Sequence, residues 1–150
     1  MEAVATVTAL LAAVLNAAAG AYAGWRWFRV APDRPAWIAL RVAQAATLAV
    51  AVVAAVAWLA GRRPDEGLFW IYAFVPLGVS FFAEQFRVLS AQTVLDARGL
   101  PDAQAVGRRP ESEQMSIVLQ IARRELGIVA LGVGVNAFLL VRAVTETSGL

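Results

Sequence analysis

The chain has 150 residues, 60% of them hydrophobic, with 13 basic and 11 acidic side chains and neither cysteine nor histidine. The mean hydropathy of +0.65 lies well above that of ordinary globular chains and places the protein among membrane proteins. Without Cys or His there are no disulfides, no thiolate or imidazole metal site, no axial His for haem and no His-activated nucleophile. All thirteen basic residues are Arg, so Schiff-base chemistry by Lys is excluded as well, and the bias fits a GC-rich genome. The pI of about 9.9 does not point to nucleic acid, because the arginines flank apolar runs and do not form a basic face interleaved with aromatics.

Four segments reach the roughly 20 residues that a helix needs to cross a hydrocarbon core of about 30 Å. They are predicted at about 3–25, 36–60, 67–90 and 116–143. The runs are continuously apolar, whereas a membrane barrel needs alternation. The first span opens with Glu2, not with the positive region of a cleaved signal peptide. It carries Asn16, Gly20 and Gly24 at intervals of four, a small-residue spacing that lets helices pack closely within the bundle or, less strongly, between copies. "APDRP" at 31–35 ends it and starts the second span, with Pro32 and Pro35 suited to a stop and a start. "GRRPDEG" at 61–67 separates the second span from the third.

The third segment meets no breaker until "RGLP", where Gly99 is a natural residue to end a helix and Pro101 confirms the stop. "PDAQAVG" is expected to form one short helical turn, and Pro110 with Glu111 and Glu113 makes a good first turn for the last helix. If that helix runs to Thr145 it is about 54 Å long, far more than a bilayer core. The expected architecture is therefore all-α: a single-domain, polytopic four-transmembrane-helix bundle. Its third and fourth long helices extend into a hairpin with its tip at about 92–115, on which Val94, Leu95, Leu100 and Val106 are expected to stand exposed. Pro76, inside the third span, is expected to kink it. Asn16 and Asn136 are expected to hydrogen-bond each other or backbone.

Arginine placement predicts the orientation. With four spans, one face takes Arg62, Arg63 and Arg142, and the other takes the remaining ten, so the positive-inside rule puts both termini outside and the hairpin in the cytoplasm of a bacterial inner membrane. Trp25, Trp27, Phe28 and Trp37 then form the inner aromatic belt, and Trp58, Trp70 and Tyr72 the outer one.

In this frame "FFAEQFRVLS" at 81–90 brings Glu84, Gln85 and Arg87 to the inner edge of the hydrocarbon. Arg41 and Gln44 on the second span, and Gln120, Arg123, Arg124 and Glu125 on the fourth, reach a similar depth. An ionisable group facing lipid costs about 2.5 kcal/mol or more at depth, so such groups turn inward and pair. A polar layer is expected, with Glu84 and Glu125 set among Arg41, Arg87, Arg123 and Arg124. Its four cations against two anions support a structural lock or a site for an anion.

The stretches Ala83–Gly107, "AEQFRVLSAQTVLDARGLPDAQAVG", and Glu113–Gly127, "EQMSIVLQIARRELG", resemble a group of small uncharacterised four-helix integral membrane proteins of high-GC bacteria. The resemblance implies the four-helix fold and brings no activity or ligand with it.

The function expected first is a non-enzymatic accessory, assembly or scaffold subunit that docks a partner through the hairpin. The alternative is binding or transport of an anionic amphiphile or small anion through the arginine-rich layer, in an oligomer, with Glu84 as counter-ion. Catalysis by Glu84 and Glu125 on a phosphorylated lipid is the weakest reading, and no cofactor or metal is implied. The expected partners are anionic membrane lipids, further copies of the chain or a larger membrane complex, and not nucleic acid.

Overall fold

The computed structural model describes residues 1–65 and 67–147. They form helices and no strands, in the order α1 (Glu2–Phe28), α2 (Arg34–Leu59), α3 (Leu68–Ala97), α4 (Ala103–Val106) and α5 (Glu111–Thr145). Four of these, all but α4, are long and apolar enough to cross a membrane.

The helix ends follow local chemistry. Asp33 caps α2 by accepting from the Ala36 amide at 3.0 Å, and it also pairs with Arg26 at 2.9 Å and accepts from the Tyr22 hydroxyl at 3.1 Å. One carboxylate thus fixes the α1–α2 corner. Asp102 caps α4 in the same way through the Ala105 amide. Gly99 has a φ of +65°, the left-handed conformation that closes α3 and that glycine adopts at no steric cost. Pro76 sits inside α3 without dividing it.

The long helices alternate in direction. α5 is the central member, with α1 on one flank and α3 on the other, while α2 packs along α1 and meets α3 over a shorter stretch. Two apolar clusters make up the bundle core. The first joins all four long helices through Ala9, Ala13, Val50, Ala54, Phe69, Ala73 and Leu140. The second, through Ala19, Ala23, Leu40, Ala43, Leu126, Val129 and Val133, draws on α1, α2 and α5 and contains no residue of α3. At that level α3 packs on α5 through Ala83 and Gly132 and is tied to α2 by polar groups, described below.

Beyond the ends of α1 and α2, the last turns of α3 and the first turns of α5 close on α4. Val94, Leu95, Leu100, Val106 and Ile117 form a third cluster there, with Val94 and Ile117 at 0% exposure. The sequence reading expected Val94, Leu95, Leu100 and Val106 to be exposed for docking, and all four are buried. The physical reason is that a hairpin outside the apolar bundle needs a core of its own, and these side chains supply it together with Ile117 and the partly buried Ile121.

Close approach of helices is concentrated on α5. A Cβ on Gly132 would stand 2.9 Å from the Cβ of Ala83, an atom fixed to the α3 backbone. A Cβ on Gly20 would stand 3.3 Å from Val133, so Gly20 of the predicted small-residue motif does pack α1 on α5, whereas Gly24 has nothing within 4 Å. Gly132→Ala is expected to cost about 1–3 kcal/mol by forcing α3 and α5 apart. Gly78→Ala, with nothing within 4 Å of its Cβ, is expected to be neutral or slightly stabilising. Thermal unfolding of the two variants in detergent checks the contrast.

Candidate functional site

Glu84 is the centre of the polar layer. From α2, Arg41 donates to its carboxylate at 2.6 and 3.4 Å, and Gln44 donates at 2.9 Å. From its own helix, Arg87 donates through Nε at 2.9 Å. The far end of Arg87 lies 3.7 Å from the Glu125 carboxylate on α5, and Arg41 also donates to the Gln44 oxygen at 2.7 Å. Two carboxylates and two guanidiniums therefore link α2, α3 and α5. Arg41 and Arg87 satisfy Glu84 from opposite sides because Glu84 and Arg87, three apart, share a helix face.

The other predicted members do not join this layer. Arg123 and Arg124 precede Glu125 by two residues and one, and successive helical residues are turned by about 100°. With Glu125 facing inward, Arg123 is directed at α1, where it donates to the Trp27 carbonyl at 3.2 Å and lies 5.2 Å from the centre of the Trp27 ring. Gln120 accepts from Arg98 at 2.9 Å, further along the hairpin. Gln85 is exposed. The expected surplus of four cations over two anions is thus resolved into a balanced network of two and two, and neither Arg41 nor Arg87 is left free for an anion.

Arg124 is different. It is exposed and, among the described residues, makes neither an ion pair nor a side-chain hydrogen bond. It forms part of the wall of two hollows. One, of about 620 Å³, is walled by Gly20, Gly24, Trp27, Ser90, Gly127, Ile128 and Leu131. The other, of about 580 Å³, is walled by Val30, Ser116, Leu119, Gln120 and Arg123. The first is mainly apolar and the second mixed. Gly127 is what allows this shape, since a Cβ there would stand 2.7 Å from the Trp27 indole nitrogen. A guanidinium at such a boundary has all its donors available for a phosphate or carboxylate.

A second polar layer divides the two apolar clusters of the bundle. Asn16 donates to the carbonyls of Ala12 and Ala43 at 2.9 and 3.1 Å and to the Thr47 hydroxyl at 3.0 Å. Asn136 donates to the Ser80 hydroxyl at 2.9 Å. Each long helix supplies one member, and the two amides do not bond each other: Asn16 takes the backbone partner expected as the alternative, and Asn136 takes a side chain. Both Asn Oδ1 atoms are buried without a partner.

Thr47, Ser80 and Ser90 were not singled out from the sequence. Thr47 follows Gln44 by three residues and Ser80 precedes Glu84 by four, so helical spacing alone already put each on the face of a residue that was. Trp27 was assigned to the aromatic belt and also forms a wall of the larger hollow.

In comparisons with known proteins, the chain matches no family model, no curated protein and no solved structure.

Glu84→Gln is expected to lower stability by about 1–2 kcal/mol, because it weakens charge-assisted bonds from two arginines in a setting that is a quarter exposed. Gln85→Ala, which removes an exposed side chain, is expected to change stability by less than about 0.5 kcal/mol. Unfolding of both variants in the same detergent tests whether the layer is centred on Glu84.

Proposed function

We propose that this chain is a non-enzymatic protein of the bacterial cytoplasmic membrane that crosses it four times and holds an anionic amphiphile at Arg124. The observation that carries this reading is the position of Arg124: unpaired, and shared by an apolar hollow and a mixed one. An amphiphile has the same division, with its charge at the boundary. The arginines of the polar layer play a structural part in this reading, because Glu84 and Glu125 already neutralise them.

Orientation is supported by charge. The end of the bundle that carries the α1–α2 corner and the hairpin holds ten arginines and the other holds three, which favours termini outside and the hairpin in the cytoplasm. Arg124 then lies at the inner leaflet, where anionic lipid head groups are found.

The hairpin supports a second reading, that of a scaffold. It has its own core and displays Met115 and Val118, which are 66% and 55% exposed, one turn apart on α5. On this reading, Met115→Glu with Val118→Glu abolishes association with a partner complex in the membrane while the bundle melts unchanged.

Two measurements test the main proposal. Protein released from lipid nanodiscs into a native mass spectrometer is expected to retain an anionic lipid, and Arg124→Gln is expected to lose it; equal retention by both would overturn the site. The chain has no cysteine, so single-cysteine labelling is clean. Gln104→Cys is expected to react with a membrane-impermeant maleimide only after cells are opened, and Arg62→Cys in intact cells. The reverse pattern would invert the topology.

A further inference from the structure

The shape around Arg124 bears on how many acyl chains the ligand has. On the outer face of α5, Arg124, Leu131, Val135 and Phe138 form a ridge, with Leu131 and Phe138 about 70% exposed, at 72% and 69%. A furrow runs along each side of it. On the α1 side the furrow is floored by Ala17, Gly20 and Ala21 and measures about 540 Å³. On the α3 side it is walled by Val79, Phe82, Phe86 and Gly132 and measures about 680 Å³. Both share wall residues with the hollow at Arg124, Gly20 and Ala130 on the α1 side and Ile128 on the α3 side, and Leu131 borders all three.

We infer that the ligand is an anionic diacyl phospholipid that straddles α5, with its phosphate on Arg124 and one chain in each furrow. This rests on the amphiphile reading above and specifies the ligand of that site. Charge complementarity selects the head, since an unpaired guanidinium pairs with a phosphate by two parallel hydrogen bonds. The two furrows select the tail, because a single chain would fill one and leave the other to be covered separately. Length agrees as well: from Arg124 to Val135 is about 16 Å along the helix, close to half of a hydrocarbon core of about 30 Å. The furrow walls differ, small residues on the α1 side and stacked Phe82 and Phe86, 6.4 Å between centres, on the other. The mixed hollow beyond Arg124, with Ser116 and Gln120 in its wall, has room for the polar group esterified to the phosphate.

The test uses the full chain in nanodiscs of zwitterionic lipid, doped with equal amounts of phosphatidylglycerol and its one-chain lyso form, and native mass spectrometry of what is retained. The two-chain lipid is expected to be retained at least about tenfold better than the lyso form. Ala17→Phe with Ala21→Phe, both at exposed positions, fills the α1 furrow without entering the core. That variant is expected to reduce the two-chain lipid to the level of the lyso form and leave the lyso form unchanged. Equal retention of the two lipids, each lost in Arg124→Gln, would overturn the two-chain assignment and leave the anionic site standing. Retention of neither, or retention indifferent to Arg124, would overturn both.

Discussion

In the hairpin-side half of the bundle, one carboxylate ties α3 to α2. The second apolar cluster holds α1, α2 and α5 together without α3, and at that level α3 reaches α2 through Glu84, which accepts from Arg41 and Gln44 across the gap. Arg87 carries the link on to Glu125 of α5. The tie is made of charge-assisted hydrogen bonds, which are stronger than those between neutral groups. The tie also has a definite geometry. Only one register of α3 against α2 brings Glu84 within reach of both Arg41 and Gln44, so the layer fixes how far α3 slides along its neighbours.

The same arithmetic explains why Arg124 is free. A helix that turns Glu125 toward Arg87 must turn Arg124 about 100° away from it, out of the bundle and onto the ridge of α5. The adjacent pair of arginines is therefore divided between two tasks by helical periodicity alone: Arg123 fastens α1 by its carbonyl and its indole, and Arg124 remains open. The glycines that admit this arrangement are equally local. Gly127 makes room for Trp27, and Gly132 lets Ala83 come close, so the furrows on either side of α5 arise from where small residues interrupt the ridges.

Much of this was legible in the sequence because it is set within a few residues of chain. Pro110, Gly99 and Asp102 determine where α5 starts, where α3 stops and that α4 forms at all, and each acts on its own neighbours. That Arg41, Gln44, Glu84 and Glu125 share one level followed from counting residues along the helices. The azimuth of each arginine did not follow, because spacing shows which residues share a face but not which face meets another helix. For the same reason Val94, Leu95, Leu100 and Val106 read as exposed: their partners are one another and Ile117, which lies 17 residues beyond Leu100 and is brought to them only when the hairpin closes. For Asn16 and Asn136 the spacing left each other or backbone as partners; Asn16 reaches the Ala43 carbonyl across helices, while Thr47 and Ser80 supply hydroxyl partners that the spacing did not show.

The length of α5 has a structural consequence. It is a single helix of 35 residues with no proline inside it, about 52 Å from end to end, and it belongs to all three apolar levels: Ile117 in the hairpin, Leu126 and Val129 in the second cluster, Leu140 in the first. It runs from the hairpin to the far end of the bundle without a break. Gly132 seats it against Ala83 of α3, and Val133 meets Gly20 of α1, so one unbroken helix carries the packing of both flanks. The furrows lie along that helix, so the hairpin and one wall of each furrow are parts of a single continuous element.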